Sequence, residues 1–204
     1  ESLLKDYDHP SLRMIFDNLQ SLTSQLKQIQ TYAEFSSDLI TVNRVNTNIK
    51  KEFLELAEEF KLKAEKKGLE FNYLLPDNDD HYGLDPALLK AAVTNLLNNA
   101  LKTTNEGKIY LKIEIQMIYP KVANIFFSVK DPGPGMASSQ IQQLLNGQVF
   151  GNEDKAESNR NNLDIFTARI LTERMAGKLS GESELGFGSA FCITLPVFKA
   201  RGRF

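Results

Sequence analysis

The chain has 204 residues, of which 42% are hydrophobic and 25% charged, with a formal net charge of −2. That length suffices for one full domain with an appendage or for two small domains. The slight acidity excludes a broad basic surface of the kind that binds nucleic acid by neutralising phosphates. No stretch approaches the ~18 apolar residues of a membrane span, and no signal peptide is visible. The chain starts at Glu1 rather than Met, so it reads as a piece of a longer protein. Its one cysteine, Cys192, forms no internal disulfide. It lies in the apolar run AFCITLP, where it reads as a small buried hydrophobe.

Residues 11–36 read as a long amphipathic helix. Leu12, Ile15, Leu19, Leu22, Leu26, Ile29 and Ala33 alternate in steps of three and four, a heptad seam that needs a partner helix. Residues 37–49 read as a connector with a short extended piece. A helix follows over 50–67, with Phe53, Leu54, Ala57, Phe60 and Leu62 as its apolar contacts and Gly68 to end it. LEFNYLL alternates as a strand, and PDNDDHYG reads as a polar loop. Asp85 and Pro86 suit the cap and first position of a helix running to Lys102. Strands are expected at 108–118 and 123–131, the second broken by DPGPG. A short helix near 138–145 sits in a polar, glycine-containing loop over 136–160. A helix over 163–176 ends at Gly177, and the strands KLSGESE and SAFCITLP close the domain. Helices interleaved with mainly antiparallel strands make this an α+β layer architecture.

Three short strings carry chemistry. In NLLNNALKTT, Asn95 and Asn99 stand four apart on one helical face. Two carboxamide oxygens there can reach a Mg²⁺ held by phosphates, since that ion takes oxygen ligands and keeps water and phosphate in its shell. Lys102 lies one step further and can meet a phosphate as a point charge. In DPGPG, Asp131 at a strand end can accept a hydrogen bond from an exocyclic amine such as that of adenine, and Gly133 and Gly135 permit close backbone approach. In GFGSAF, Gly186 and Gly188 before Ser189 allow a bend that presents backbone N–H groups, and the string reads equally well as a hairpin turn.

Taken in order, these strings resemble the GHKL ATP-binding superfamily, and within it the catalytic domain of sensor histidine kinases. LDPALLKAAVTNLLNNALKTTNEGKIYLKI looks like the N box with its lead-in helix and following strand. DPGPG resembles the first glycine box and GFGS the last. FLELAEEFKLKAEKKGLEFNYLLPD is similar to the segment joining the dimerisation and catalytic domains. The resemblance covers residues 12–196. It implies a two-layer α/β sandwich of the Bergerat type over residues 46–204, preceded over 1–45 by part of a dimerising, histidine-bearing helical hairpin.

The resemblance also implies roles. ATP and Mg²⁺ are the expected ligands, with Asn99 holding the metal and Asn95 beside it. Asn95 and Lys102 are the catalytic positions, and Lys102 contacts phosphate. Asp131 binds adenine, with Gly133 and Gly135 lining that pocket, and Gly186, Gly188 and Ser189 are further cofactor-binding positions. The ATPases of the superfamily place a general-base Glu where Asn95 stands. An amide accepts no proton near neutral pH, which disfavours an ATPase and fits a phosphoryl donor. Expected partners are a second copy through the hairpin, and a response regulator or another histidine kinase. Nucleic acid and membrane contact by these residues are not expected. The expected location is cytoplasmic, with an inner-membrane anchor elsewhere in the parent protein left open.

Two departures from the family pattern stand out. Arg160, Asn162 and Asp164 occupy the second glycine box, whose amides cradle phosphates in the family. Asn and Asp tolerate left-handed backbone angles, so a turn is conceivable there. Asp164 nevertheless sets a carboxylate near the phosphates, with Arg160 as a candidate to offset it. The acceptor histidine is also missing: His9 precedes the heptad helix, and His81 lies in a polar loop with the character of a solvated side chain. Two functions follow from this pattern. One is the ATP-binding catalytic region of a histidine kinase, donating the γ-phosphoryl to a histidine outside this chain. The other is a degenerate, non-catalytic signalling module acting through dimerisation or through another kinase.

Overall fold

The computed structural model describes residues 41–146 and 156–200, with the backbone alone for 156–162. The heptad helix and His9 lie outside the described residues. The elements run β1 (Val45–Asn48), α1 (Ile49–Lys66), β2 (Glu70–Leu74), β3 (His81–Leu84), α2 (Pro86–Thr103), β4 (Lys108–Tyr119), β5 (Val122–Asp131), α3 (Ser138–Leu145), α4 (Ala156–Arg174), β6 (Lys178–Glu184) and β7 (Gly188–Lys199).

Local chemistry explains the helix ends. Asn48 caps α1, its side chain accepting from Lys51 N–H at 2.9 Å, and Gly68 stops the helix in a left-handed conformation at φ 78°. Asp85 caps α2 by accepting from Leu88 N–H at 3.0 Å, and Pro86 occupies the first turn as expected. The C-terminus of α2 is closed from outside. Lys67 Nζ donates to Leu101 O at 2.5 Å and Thr104 O at 2.8 Å, placing a cation at the negative end of the helix.

The seven described strands form one mixed sheet in the order β1-β3-β7-β5-β4-β2, with β6 also paired to β7. Among the described pairings only β2–β4 is parallel. One edge of β7 pairs with β5 over most of its length; the other is shared between β6, against residues 188–194, and β3, against residues 198–199. Alternation along each strand sends Ile109, Leu111 and Ile113 of β4, Ile125, Phe127 and Val129 of β5, and Phe191, Ile193 and Leu195 of β7 to the buried face. The helices supply the other half of the core. Ile49, Phe53, Leu56, Ala57, Phe60 and Ala64 of α1 are buried, and the rings of Phe53 and Phe127 lie 4.9 Å apart. This is the two-layer α/β sandwich, with α1, α2 and the sheet around one core.

Several expectations are corrected. Leu54 and Leu62 are 44% and 59% exposed, because they fall off the i, i+4, i+7 stripe that faces the sheet. HYGL is a strand, β3, rather than the end of a loop; pairing with β1 and β7 makes it one. His81 is exposed on it. Cys192 is half-buried, because Phe191 and Ile193 take the inward positions on either side. α4 starts at Ala156, seven residues before the expected position. It ends at Arg174, two residues before the expected position; Ala176 takes φ 61°, and a Cβ on Gly177 would lie 2.8 Å from Thr194 O.

Candidate functional site

β5 ends at Asp131. The register sets Asp131 beside Ser189 of β7, and Ser189 beside Ser183 of β6. Directly paired residues share a face, so a carboxylate and two hydroxyls form a row across three strands. Asp131 is 3% exposed, and Gly133 N–H donates to its Oδ1 at 2.9 Å. Burial pushes its carboxyl up to about 6, against the opposing pull of the Gly133 hydrogen bond.

The glycines of DPGPG and GFGS lock two loops together. Gly135 has φ 66°, and a Cβ on it would overlap the Glu184 carbonyl oxygen; Gly188 has φ 103°, and a Cβ on it would overlap the Asp131 carbonyl oxygen. A Cβ on Gly133 would lie 2.7 Å from Asp131 Oδ1. Gly186 differs: it has φ 82° but open space around it, so only the turn requires it. Its N–H donates to Pro134 O at 2.8 Å.

Ser183 ties the same two loops. Its hydroxyl donates to Gly188 O at 2.9 Å, accepts from Met136 N–H at 2.7 Å, and lies 2.9 Å from Ser189 Oγ. A hydroxyl has one proton. Since Ser183 gives its proton to Gly188 O, Ser189 is the donor to Ser183. Ser183→Ala strands the Met136 N–H and the Ser189 hydroxyl together, an expected loss of about 1–3 kcal/mol in urea unfolding. A loss below about 0.5 kcal/mol would mean water replaces the hydroxyl.

The other wall is α2. Asn95 Nδ2 donates to Ala91 O at 2.8 Å, which leaves its Oδ1 as the group it can offer. Asn99 is 3% exposed. Thr103 Oγ1 donates to Asn99 O at 2.9 Å and would lie 3.2 Å from a Cβ on Gly133, so the last turn of α2 abuts DPGPG. Thr103, one turn after Asn99, is the α2 residue that stands against the Asp131 loop, and Asn95 lies a further turn back along the helix. Lys102 Nζ is 2.5 Å from Asp164 Oδ2, an ion pair that crosses from α2 to α4. Lys102 thus offsets the Asp164 charge; the side chains of Arg160 and Asn162 lie outside the described residues. The stretch 160–165 is helical, not a left-handed turn.

Sequence reasoning missed Ser183, Thr103 and Lys67. A serine in a strand and a lysine on another helix carry no local signal for these contacts. Asp131 at a strand end before DPGPG, by contrast, was visible from its punctuation.

Residues 84–199 match the family described as "Histidine kinase-, DNA gyrase B-, and HSP90-like ATPase". The chain belongs to this family. The match spans α2, DPGPG, GFGS and every strand from β4 to β7. Within the family the chain carries the ATP-binding domain of sensor histidine kinases, and its relatives bear such names. It is 25% identical over 195 residues to the adaptive-response sensory kinase SasA of Synechococcus sp. (strain JA-3-3Ab), covering 94% of this chain and 51% of that protein. It is 33% identical over 120 residues to the sensor protein EvgS of Escherichia coli O157:H7, covering 58% of this chain and 10% of that protein. The chain therefore spans between a tenth and about half of these relatives. Among solved structures, full-length ShkA in complex with AMPPNP superposes with a TM-score of 0.71 at 21% identity, covering 98% of this chain and 42% of that one. The histidine kinase AdeS of Acinetobacter baumannii gives 0.63 at 14% identity, covering 93% of this chain and 85% of that one. These two show the shared fold. Among the described residues no helix is long and apolar enough to cross a membrane.

Proposed function

We propose that residues 46–204 bind ATP with Mg²⁺ and pass its γ-phosphoryl to a histidine outside this chain, and that residues 1–45 supply part of a helical hairpin that pairs two copies. The observation that carries this reading is the Asp131 carboxylate. It is withdrawn from water, held by one backbone N–H, and framed by two glycine-built loops. Such a carboxylate is a receptor for a further donor, and the exocyclic amine of adenine is one.

The residues also suit the metal. Among the described residues no three His, Cys, Asp or Glu side chains cluster to hold an ion. A Mg²⁺ at this site would take an amide oxygen of Asn99, with Asn95 beside it, and complete its shell with phosphate and water. When bound, it neutralises charge on the transferring phosphoryl. A bond forms from an imidazole nitrogen to phosphorus while the bond to the departing ADP oxygen breaks. The imidazole brings its own lone pair, so the lack of a base at Asn95 costs nothing. The whole protein's partners on this reading are a second copy and a response regulator or another kinase.

Calorimetric titration with ATP, with and without Mg²⁺, tests the reading. The wild type binds ATP more tightly with Mg²⁺, and Asn99→Ala removes that enhancement, about tenfold or more. No binding by the wild type up to millimolar nucleotide overturns it. One observation favours the second reading, a degenerate module: the Asp164 carboxylate paired with Lys102, the cation intended for phosphate. Self-phosphorylation of the full-length protein would rule that reading out.

A further inference from the structure

We propose that Asp164 is a specificity-determining residue of this pocket: as a built-in counter-ion to Lys102, it takes the place of a nucleotide phosphate and removes most of the pocket's preference for ATP over adenosine. The inference rests on the ATP-pocket reading above.

Four observations on the two residues carry it. Asn95, Asn99 and Lys102 follow one another along a single face of α2. Lys102 is the cation of that face, and its side chain is 54% exposed, so it is within reach of a ligand. Its ammonium lies 2.5 Å from Asp164 Oδ2, a charge-assisted contact as short as a phosphate oxygen would make. Asp164 is 7% exposed on α4, a helix packed against α2, so its carboxylate is fixed and cannot swing away into water as a surface side chain would. Burial raises its carboxyl pKa, and the hydrogen bond and charge of Lys102 oppose that shift.

A phosphate arriving at Lys102 therefore meets a cation that is already neutralised, with a negative charge next to it. Neutral adenosine, which needs only the Asp131 end, meets no such obstacle. In the helical stretch 160–165 a glycine at position 164 would leave Lys102 free; the aspartate binds it.

The test measures ATP and adenosine affinities side by side, without Mg²⁺, for the wild type, Asp164→Asn and Asp164→Gly. Asp164→Asn keeps the shape, so a folded protein is available even where glycine weakens α4. The wild type is expected to bind the two ligands within about threefold of each other. Both variants are expected to bind ATP about tenfold more tightly while adenosine affinity stays put. Lys102→Ala is expected to weaken ATP further and leave adenosine unchanged. A ratio of ATP to adenosine affinity that does not move in Asp164→Asn, even with a lowered melting temperature, overturns the inference and leaves Asp164 as a strut between α2 and α4. A wild type that already prefers ATP strongly overturns it too. Failure of every variant to bind adenosine is a different result: it removes the adenine pocket itself, and the inference with it.

Discussion

Asp131→Asn lowers affinity for adenine nucleotides by about 100-fold, measured calorimetrically at neutral pH. The substitution removes a buried negative charge that accepts hydrogen bonds and turns an amide N–H₂ toward the place of a ligand amine. The neighbouring hydroxyl does not compensate. Ser189 spends its proton on Ser183, so toward the pocket it too can only accept. On the proposed reading, the row of Asp131 and Ser189 offers a ligand acceptors only. The same carboxyl gives the binding a pH dependence. Its pKa in the fold is about 6, so affinity falls as pH drops through 6 and the carboxylate becomes an acid. Stability moves the other way. The folded protein holds this proton more tightly than the unfolded chain, whose value is near 3.8. The contribution is therefore fully present below about pH 4 and is lost as pH rises to 6, about 3 kcal/mol in all. Asp131→Asn flattens that slope in urea unfolding between pH 4 and 6. An unchanged slope would show that Asp131 is hydrated in solution, and unchanged affinity would remove it from the site.

Gly188→Ala is expected to destabilise the domain by roughly 3–5 kcal/mol and to abolish nucleotide binding with it. The new Cβ has nowhere to go: it overlaps the Asp131 carbonyl oxygen, lies 2.9 Å from Pro132 Cα, and sits on a backbone at φ 103°. These neighbours are backbone atoms, so no rotamer change relieves the overlap. Gly186→Ala is the control. It has a similar left-handed angle, φ 82°, but empty space around it, and its expected cost is only about 1 kcal/mol. Thermal unfolding of the two variants separates close approach from turn strain. Equal losses would show that the β6–β7 turn shifts as a body and relieves both.

The helices and most strands could be read from the sequence, because their signals are local. Asp85 and Pro86 announce α2, Gly68 ends α1, and alternation marks β4 and β5 within a residue or two. β3 was hidden because HYGL has neither the length nor the apolar content of a strand; its partners, β1 and Lys199–Phe198 of β7, define it from far away in the chain. The site divided in the same way. DPGPG and GFGS stood out because close backbone contact demands glycine, and that demand shows as spacing. That Gly135 meets Glu184 while Gly188 meets Asp131 did not show, since it depends on how two loops approach. Asp164 was visible as a misplaced charge in a glycine box. Its partner was not, because Lys102 lies 62 positions away on another helix. Ser183, the hydroxyl that holds both loops, looks like any serine in an exposed strand.

The shared edge of β7 sets an order of assembly. Among the described strands, β1 and β3 form one pair and β2, β4 and β5 another group, and the two are joined only through β7. β4 and β5 are neighbours in sequence and can zip as a hairpin early, but β3 must wait for a strand more than a hundred residues downstream. The topology therefore predicts that the two groups of described strands cannot be joined until β7 has been made, and that their edges stay open until then. β7 joins the two groups and, through Gly188 and Ser189 at its first residues, sets the contact with Asp131 in the same event. A chain cut short before β7 would lose its sheet and its site together.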